Sequence, residues 1–205
     1  MYMTTQDSKK VTACLISWKR PENLGKIIAS LHQWDFIDEI LICVNKPGAN
    51  EMNYGRYLMA EKAKNNLIYT QDDDHIIENV DEIYNAFLDQ PNKIANGGIE
   101  DYLKVVPENI YGSSQMAIFG WGTIFRKDWF AKPLQKYINE YGKDYCFYRE
   151  TDRIFSMILN SHHTMVPVVV EVLPGARGEE ALSSQEDHMK YKQLAISRCK
   201  EILGI

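Results

Sequence analysis

The chain has 205 residues, of which 45% are hydrophobic and 25% are charged, which is enough apolar content for one well-buried globular domain. Its formal net charge of -5 at pH 7 gives no electrostatic reason to expect a nucleic acid or another polyanion as partner. The first residues lack the apolar core of a signal peptide, and no run of about 18 apolar residues occurs, as a membrane-spanning helix would need. We therefore expect a cytoplasmic protein with no membrane span.

The cysteines are spaced too far apart to form a zinc or redox motif. All four stand singly, with no C-x-x-C pair: Cys14, Cys43, Cys146 and Cys199. We expect free thiols in a reducing compartment.

Alternating strand and helix signals fill the first half of the chain. Apolar runs too short for helices predict buried strands at residues 11–18, 40–44 and 67–70. Apolar residues at helical spacing predict a helix that begins at Pro21 and a shorter one at residues 54–63. After the third strand, Asn79 and Glu82 have the spacing of a capping box that opens another helix.

The second half of the chain has a mixed pattern. Strand signals lie at residues 93–96, 102–106, 115–119 and 163–172. Amphipathic helices are predicted at residues 129–141 and 152–160, and a C-terminal helix is predicted from Ser183, which forms a capping box with Glu186. The repeated strand-helix units indicate an α/β fold with a mostly parallel, doubly wound sheet, in which ligands bind outside the carboxyl ends of the strands.

Three adjacent aspartates, Asp72, Asp73 and Asp74, follow the third predicted strand. Their carboxylates would repel one another if buried together, so the run needs a cation, positive groups or water to compensate it. Mn²⁺ or Mg²⁺ suits this role, because hard divalent ions prefer oxygen ligands and complete their shell with substrate phosphates. A solvated acidic loop or a helix-start cluster is the alternative for such a run in isolation. The position at the end of a buried strand favours the metal.

Spacing separates this run from two other aspartate motifs. An EF-hand loop that starts at Asp72 would need a glycine and then an acid where this chain has Ile77 and Ile83. A phosphatase of the haloacid dehalogenase type would need a downstream Gly-Asp-x-x-x-Asp, which the sequence lacks. The phosphatase is kept only as a runner-up.

The sequence resembles the GT-A glycosyltransferase domain of the exostosin type, in which a strand ends in Asp-Asp-Asp and a later Glu-Asp pair begins a helix. A few short motifs carry the resemblance over most of the chain. It implies one Rossmann-like GT-A domain over residues 1–205. The nucleotide-sugar-binding half would lie at about residues 10–95 and the acceptor and catalytic half at about residues 96–205.

The resemblance implies a set of donor contacts. Arg20 matches an arginine after the first strand and Asn45 an asparagine after the second, and both would contact the nucleotide. Arg56 falls at the position of the arginine in the family's Asn-Arg-Phe segment, although Gly55 replaces the asparagine. Asp72 would lie near the ribose and base.

The resemblance also implies roles closer to the reacting atoms. Asp74 would bind the metal that bridges the two phosphates, while Asp73 would support the loop and touch the donor sugar. Trp121 lies in a stretch similar to the family's sugar pocket and would stack on a sugar face, with an ordinary core aromatic as the alternative. Asp152 matches the catalytic aspartate at a helix start, although Thr151 replaces the preceding glutamate. Simple helix capping is the alternative for Asp152.

The predicted C-terminal helix carries two further residues that the resemblance implies. His188 is followed by Lys192 where the family has a histidine and then an arginine, which places His188 near the metal or diphosphate and Lys192 on a phosphate oxygen. A lone inward-facing histidine is otherwise an ordinary core residue. Arg177, in a Gly-rich segment, would close over the donor.

These features predict a metal-dependent glycosyltransferase that moves a sugar from a nucleotide-sugar, a UDP-sugar, to a hydroxyl acceptor. The resemblance implies retention at the sugar, whereas inversion would require Asp152 as a general base. Two rival classes stay open: a non-catalytic nucleotide-sugar binder, and a nucleotidyltransferase, against which the missing Gly-rich loop after strand one argues. The acceptor is left open among a glycan, a lipid-linked precursor and a modified nucleobase.

Overall fold

A six-stranded sheet runs through the protein, whose computed structural model describes residues 9–98, 117–159, 163–176, 178 and 184–205. The strands are β1 (Val11–Ser17), β2 (Ile37–Val44), β3 (Leu67–Thr70), β4 (His75–Ile77), β5 (Ile94–Gly98), β6 (Thr123–Arg126), β7 (His163–Pro167) and β8 (Val170–Val172). The large sheet has the order β2-β1-β3-β6-β5-β7, and β4 and β8 form a separate antiparallel pair.

Pairing within the large sheet is mostly parallel. β1 lies parallel to β2 and to β3, and β5 lies parallel to β7. β6 is antiparallel to both of its neighbours, β3 and β5. The prediction of an α/β fold with a mostly parallel sheet and a mixed second half is confirmed.

Helices cover both faces of this sheet. They are α1 (Pro21–Leu31), α2 (Gly55–Lys62), α3 (Val80–Asp89), α4 (Ala131–Tyr141), α5 (Tyr145–Leu159) and α6 (His188–Leu203). Side chains along β1 alternate between the faces, so that Leu15 packs in a cluster with Ile27 of α1, and Cys14 packs with Tyr57 of α2 on the other face. Because both faces are buried, the strands appear in the sequence as continuous apolar runs.

Helix α5 begins earlier than predicted, at Tyr145, and runs to Leu159. Glu150 has non-helical angles, φ -109° and ψ 22°, so the helix is broken at this residue. Asp152 therefore lies in the first turn of the second segment. At the position of the predicted helix start, the structure has a break within a longer helix.

The predicted capping box at Asn79 is wrong. Asn79 occupies the N-cap position of α3, but its side chain makes no capping hydrogen bond. Its amide donates instead to the Pro167 carbonyl at 3.0 Å and accepts from the Val169 N–H at 2.9 Å. Tertiary contacts with the segment between β7 and β8 thus replace the local bond.

Element bounds in the second half also differ from the prediction. β6 lies downstream of the predicted strand at residues 115–119, of which the described residues, 117–119, are not in a strand. The single strand predicted at residues 163–172 is divided into β7 and β8, and β8 leaves the large sheet to pair with β4. Helix α6 begins at His188, whereas Ser183 and the predicted strand at residues 102–106 lie outside the described residues.

All four cysteines are free, as expected. Burial raises the pKa of the Cys14 and Cys199 thiols to about 12, so both are protonated and unreactive at neutral pH. Within the described ranges, no helix combines the length and the apolar character needed to cross a bilayer.

Candidate active site

The aspartate run leaves the carboxyl end of β3, at the edge where the parallel strands β1 and β2 also end. The Asp72 N–H donates to the Gly120 carbonyl at 3.0 Å, which ties the run to the segment before β6. Arg56 pairs with the carboxylate of Asp72, and Arg20 faces the carboxylates of both Asp73 and Asp74. The mutual repulsion of the three carboxylates is thereby compensated within the protein.

Asp73 holds the loop that follows β1. Its carboxylate accepts the Trp18 N–H at 2.8 Å and Arg20 Nη1 at 2.6 Å. Its carbonyl accepts Asn23 Nδ2 at 3.0 Å. Burial raises the pKa of Asp73, while the bonds from Trp18 and Arg20 act against this rise. Asp73 therefore supports the loop, and its contact with a donor sugar stays a prediction.

Asp74 lies in the same cluster. Its Oδ2 atom is 3.4 Å from Arg20 Nη1, and its Oδ1 atom contacts His75 Nδ1. Its carbonyl accepts the Leu173 N–H at 2.8 Å, which joins the turn after β8 to the aspartate run. Arg20 is only 8% exposed, and its guanidinium faces two aspartates. The predicted contact of Arg20 with a nucleotide stays a prediction.

A second cluster joins Asp72 to helix α2. Arg56 donates from Nη2 to Asp72 Oδ1 at 2.7 Å, and its side chain is 1% exposed. The Asp72 side chain remains 41% exposed, against 7% for Asp73 and 11% for Asp74. Asp72 is therefore the most open carboxylate of the run and can offer an oxygen to a ligand.

Asp152 reaches this second cluster from α5. Its Oδ1 atom accepts the Tyr57 hydroxyl at 2.8 Å and lies 3.5 Å from Arg56 Nε. Burial raises the pKa of Asp152 to about 6, although Arg56 and Tyr57 lower it. At neutral pH this carboxylate is ionised but poorly solvated, a state suited to proton transfer or to stabilising positive charge.

The break at Glu150 gives Asp152 a favourable backbone environment. N–H groups in the first turn of a helical segment lack intrahelical partners and carry partial positive charge. Asp152 lies in such a turn, while the Glu150 carboxylate turns to Arg153 Nε at 3.0 Å. The break thus places the carboxylates of Glu150 and Asp152 in different environments.

Basic residues of α5 and α6 surround His188. Arg149 Nη1 donates to Asp187 Oδ1 at 2.9 Å, and its Nη2 atom lies 3.4 Å from His188 Nδ1. Burial lowers the pKa of His188 to about 4, and Lys192, Arg149 and Arg153 lower it further. Burial, followed by repulsion from Arg153, lowers the pKa of Lys192 to about 8. His188 is therefore neutral at pH 7 in a positively charged environment.

Asn45 and Trp121 are two further predicted donor contacts. Asn45 follows β2, is 7% exposed and accepts the Glu51 N–H on Oδ1 at 2.8 Å. Its buried Nδ2 has no hydrogen-bond partner among the described residues, so it is available to donate to a ligand. The centroid of the Trp121 ring lies 6.0 Å from that of His75, the residue that follows Asp74 in the chain. Stacking of Trp121 on a sugar stays a prediction.

A divalent cation would need substrate oxygens in addition to protein ligands. Where the structure describes the chain, no group of three or more His, Cys, Asp or Glu side chains is arranged to hold a metal, and no contact joins Asp74 to His188. Mg²⁺ commonly binds one or two carboxylates and takes its other ligands from phosphates and water. Asp72 has a partly exposed carboxylate that could serve such an ion, whereas the Asp74 carboxylate is 11% exposed beside Arg20 and His75. Metal binding at Asp74 and His188 therefore stays a prediction.

The comparisons with known proteins concern the fold. No protein-family model and no curated protein matches the sequence. A solved structure of S. aureus TarS 1-349 in complex with UDP matches with a TM-score of 0.52 and 10% identity, covering 95% of this chain and 69% of that one. The chain has the fold of a protein that binds UDP. The similarity is not specific to exostosin-type enzymes.

Two residues of the site, Tyr57 and His75, were not predicted from the sequence. They are adjacent to Arg56 and Asp74, and adjacency was the only available signal, because the partner of Tyr57 comes from a distant segment. Gly120 belongs to the stretch that resembles the family's sugar pocket, but its bond to Asp72 was not predicted. Arg177, predicted to close over the donor, lies outside the described residues.

The Gly120→Ala substitution tests the role of Asp72. A Cβ atom at Gly120 would lie 2.3 Å from Asp72 Oδ2, so the carboxylate must move. We expect the affinity for UDP with Mn²⁺, measured by calorimetry, to fall at least about tenfold because a ligand contact is displaced. Gly25→Ala in α1 is the control, since a Cβ there meets nothing within 4 Å. Equal UDP affinities for the two variants would contradict a donor contact at Asp72.

Proposed function

We propose that the chain is a metal-dependent glycosyltransferase that transfers a sugar from a UDP-sugar to a hydroxyl acceptor, with retention at the sugar. The observation that carries the proposal is the meeting of Asp72, Arg56 and Asp152 at the carboxyl edge of the sheet. The fold shared with a UDP complex supports a nucleotide donor at this edge. The kinship with exostosin-type enzymes and a cytoplasmic location are parts of the same proposal.

The donor would bind across the ends of β1, β2 and β3. Asn45 Nδ2 and Asp72 offer a donor and an acceptor of hydrogen bonds for the nucleotide. Arg20 holds the aspartate run in place, and Lys192 adds positive charge for a diphosphate. A bound Mn²⁺ or Mg²⁺ would neutralise charge on the leaving diphosphate, held by Asp74 and phosphate oxygens, with neutral His188 as a further candidate ligand.

The reaction breaks the bond between the anomeric carbon and the diphosphate oxygen, and the electron pair leaves with UDP. The acceptor oxygen then bonds to the anomeric carbon on the same face and passes its proton to the departing diphosphate oxygen. Asp152, ionised above a pKa of about 6, would stabilise the positive charge that develops on the sugar or orient the acceptor hydroxyl. The acceptor belongs to one of three classes: a glycan, a lipid-linked precursor or a modified nucleobase.

A panel of nucleotide sugars with Mn²⁺ tests the function. UDP-glucose, UDP-galactose, UDP-N-acetylglucosamine and UDP-glucuronic acid are each incubated with the chain, and release of UDP is measured. We expect one donor to be consumed. Release of pyrophosphate from UTP and a sugar phosphate would indicate a nucleotidyltransferase. Binding of UDP-sugars without turnover for any acceptor class would indicate a binding protein.

Asp74→Ala tests the metal assignment with the donor so identified. We expect Mn²⁺-dependent turnover to fall about 100-fold, because charge on the leaving group is no longer compensated. Asp128→Ala is the control, since its carboxylate is 64% exposed and pairs with Arg126 on the surface. Turnover of Asp74→Ala equal to that of the control would remove Asp74 as a metal ligand.

A further inference from the structure

The position of the Tyr57 hydroxyl is fixed by a packed ring. Tyr57 lies in the first turn of α2, is fully buried and contributes to the larger apolar cluster. Its ring contacts four aromatic rings with centroid distances of 5.4 to 6.4 Å: Phe119, Phe125, Phe130 and Phe155. Moving the ring would break this packing, so the phenol oxygen is fixed in place and its O–H turns about the C–O bond in the direction of an acceptor. That acceptor is Asp152.

Among the described residues, both partners of the Asp152 carboxylate lie on the same oxygen. The Tyr57 hydroxyl is 2.8 Å from Oδ1, and Arg56 Nε is 3.5 Å from the same atom. Oδ2 receives no hydrogen bond from any residue that the structure describes. The Asp152 side chain is 17% exposed, so a ligand in the site can reach it. The two oxygens are therefore unequal before any substrate binds.

We propose that Tyr57 is a positioning residue that holds Asp152 by Oδ1 so that Oδ2 faces the reacting sugar or the acceptor hydroxyl. This rests on the proposed function, because it requires that Asp152 acts on the substrate. A neutral donor fixes a carboxylate without neutralising it, which leaves the negative charge available on Oδ2. Burial raises the pKa of Tyr57, so the phenol stays protonated and donates throughout the neutral range.

The charged groups around Asp152 allow the effect of Tyr57 to be isolated. Arg56 faces it from α2, Asp72 from the end of β3, and Glu150 from its own helix. Tyr57→Phe removes the hydroxyl and leaves these three charges in place. Because a hydrogen bond to the ionised form lowers the pKa of an acid, its loss raises the pKa of Asp152 further above its ordinary value. Loss of one hydrogen bond to a charged group changes the pKa of that group by roughly one unit.

The experiment compares Tyr57→Phe with Tyr137→Phe. Tyr137 is equally buried, but its hydroxyl lies on α4 and accepts Arg198 Nη1 at 2.8 Å. The Asp152 carboxyl is followed by NMR of the protein labelled with ¹³C in its aspartates, with Asp152→Asn used to assign the signal. Turnover of the UDP-sugar identified by the panel is measured from pH 5 to pH 9, and UDP affinity is measured by calorimetry.

For Tyr57→Phe we expect the Asp152 titration and the acid limb of kcat/KM to move up by about one pH unit. We also expect kcat to fall about tenfold, with UDP affinity unchanged. Tyr137→Phe is expected to move none of these quantities. An unmoved Asp152 titration, or normal kcat in a folded Tyr57→Phe protein, would overturn the positioning role. Normal turnover in Asp152→Asn would instead overturn the role of Asp152 in the proposed function.

Discussion

Asp152→Asn is expected to lower kcat by about 10²- to 10⁴-fold while the affinity for UDP stays within about twofold. Asn keeps the shape of the side chain and can still accept the Tyr57 hydroxyl bond on its amide oxygen. It removes the negative charge that would stabilise a positive sugar or orient the acceptor. Arg56 and Asp72 keep their own bond at 2.7 Å, so the part of the site proposed to bind the nucleotide is preserved.

The pH dependence of the proposed reaction has a defined sign. In that proposal Asp152 acts in its ionised form, and burial raises its pKa to about 6, so kcat/KM is expected to rise with pH through about 6. The contribution of Asp152 to the free energy of unfolding changes in the opposite sense and falls as pH rises. An acid whose pKa is raised by folding contributes stability that is complete below the unfolded pKa of about 4 and is lost as pH rises through about 6. The Asn variant should lose both dependences.

Two measurements check this prediction: steady-state turnover between pH 5 and pH 9, and calorimetric binding of UDP. Asp128→Asn is the matched control, because its carboxylate is exposed and paired only on the surface. A flat kcat/KM profile in the wild-type protein through pH 6, or a loss of UDP affinity equal to the loss of kcat, would contradict the assignment.

Arg56→Met is expected to lower the free energy of unfolding by about 3 kcal/mol at pH 7, because removing the buried Arg56 leaves the poorly solvated Asp152 carboxylate without its positive partner. The guanidinium of Arg56 is 1% exposed and faces both Asp72 and Asp152. Met replaces most of its volume but none of its charge. UDP affinity should fall as well, since the Asp72 carboxylate is no longer held in one orientation.

The control for Arg56→Met is Arg126→Met, an arginine that is 48% exposed and paired with Asp128. Such surface pairs contribute about 0–1 kcal/mol. Urea unfolding at pH 7 and at pH 4 compares the two variants. The cost of Arg56→Met should shrink at pH 4, where Asp152, with a pKa of about 6, is protonated. Equal costs for the two variants at pH 7 would show that the Arg56 pair is not a strong contribution.

Much of the central sheet could be predicted from the sequence. The apolar runs of β1 and β3 are continuous because both faces of the sheet are buried, and the aspartate run follows β3 as predicted. The helix that begins at Pro21 was also recognisable, because a proline fits the first turn and Ile27 and Leu31 repeat at helical spacing. These signals are local, because they depend on how apolar residues repeat along a strand or a helix.

Features of the fold that depend on distant partners were predicted less accurately from the sequence. Asn79 has the sequence of a capping residue, yet its side chain bonds to Pro167 and Val169. The residues before Asp152 were not predicted as helical, yet α5 begins at Tyr145 and is broken at Glu150. At Asn79 the tertiary contacts outweigh a local capping preference of about 1 kcal/mol. Local propensity was therefore not decisive at Asn79.

The sequence by itself determined β1, β2 and β3 with the helices α1 and α2 between them, the burial of the sheet and the acidic end of β3. Only the tertiary structure decided how the aspartates are used. In the folded protein Asp73 and Asp74 pair with Arg20, whereas the Asp72 carboxylate pairs with Arg56 and remains partly exposed. The tertiary structure also brought Asp152 to Tyr57, a residue 95 positions away in the chain. The reason is physical: periodicity reports which face of an element is buried, whereas ion pairs between segments depend on how those faces pack.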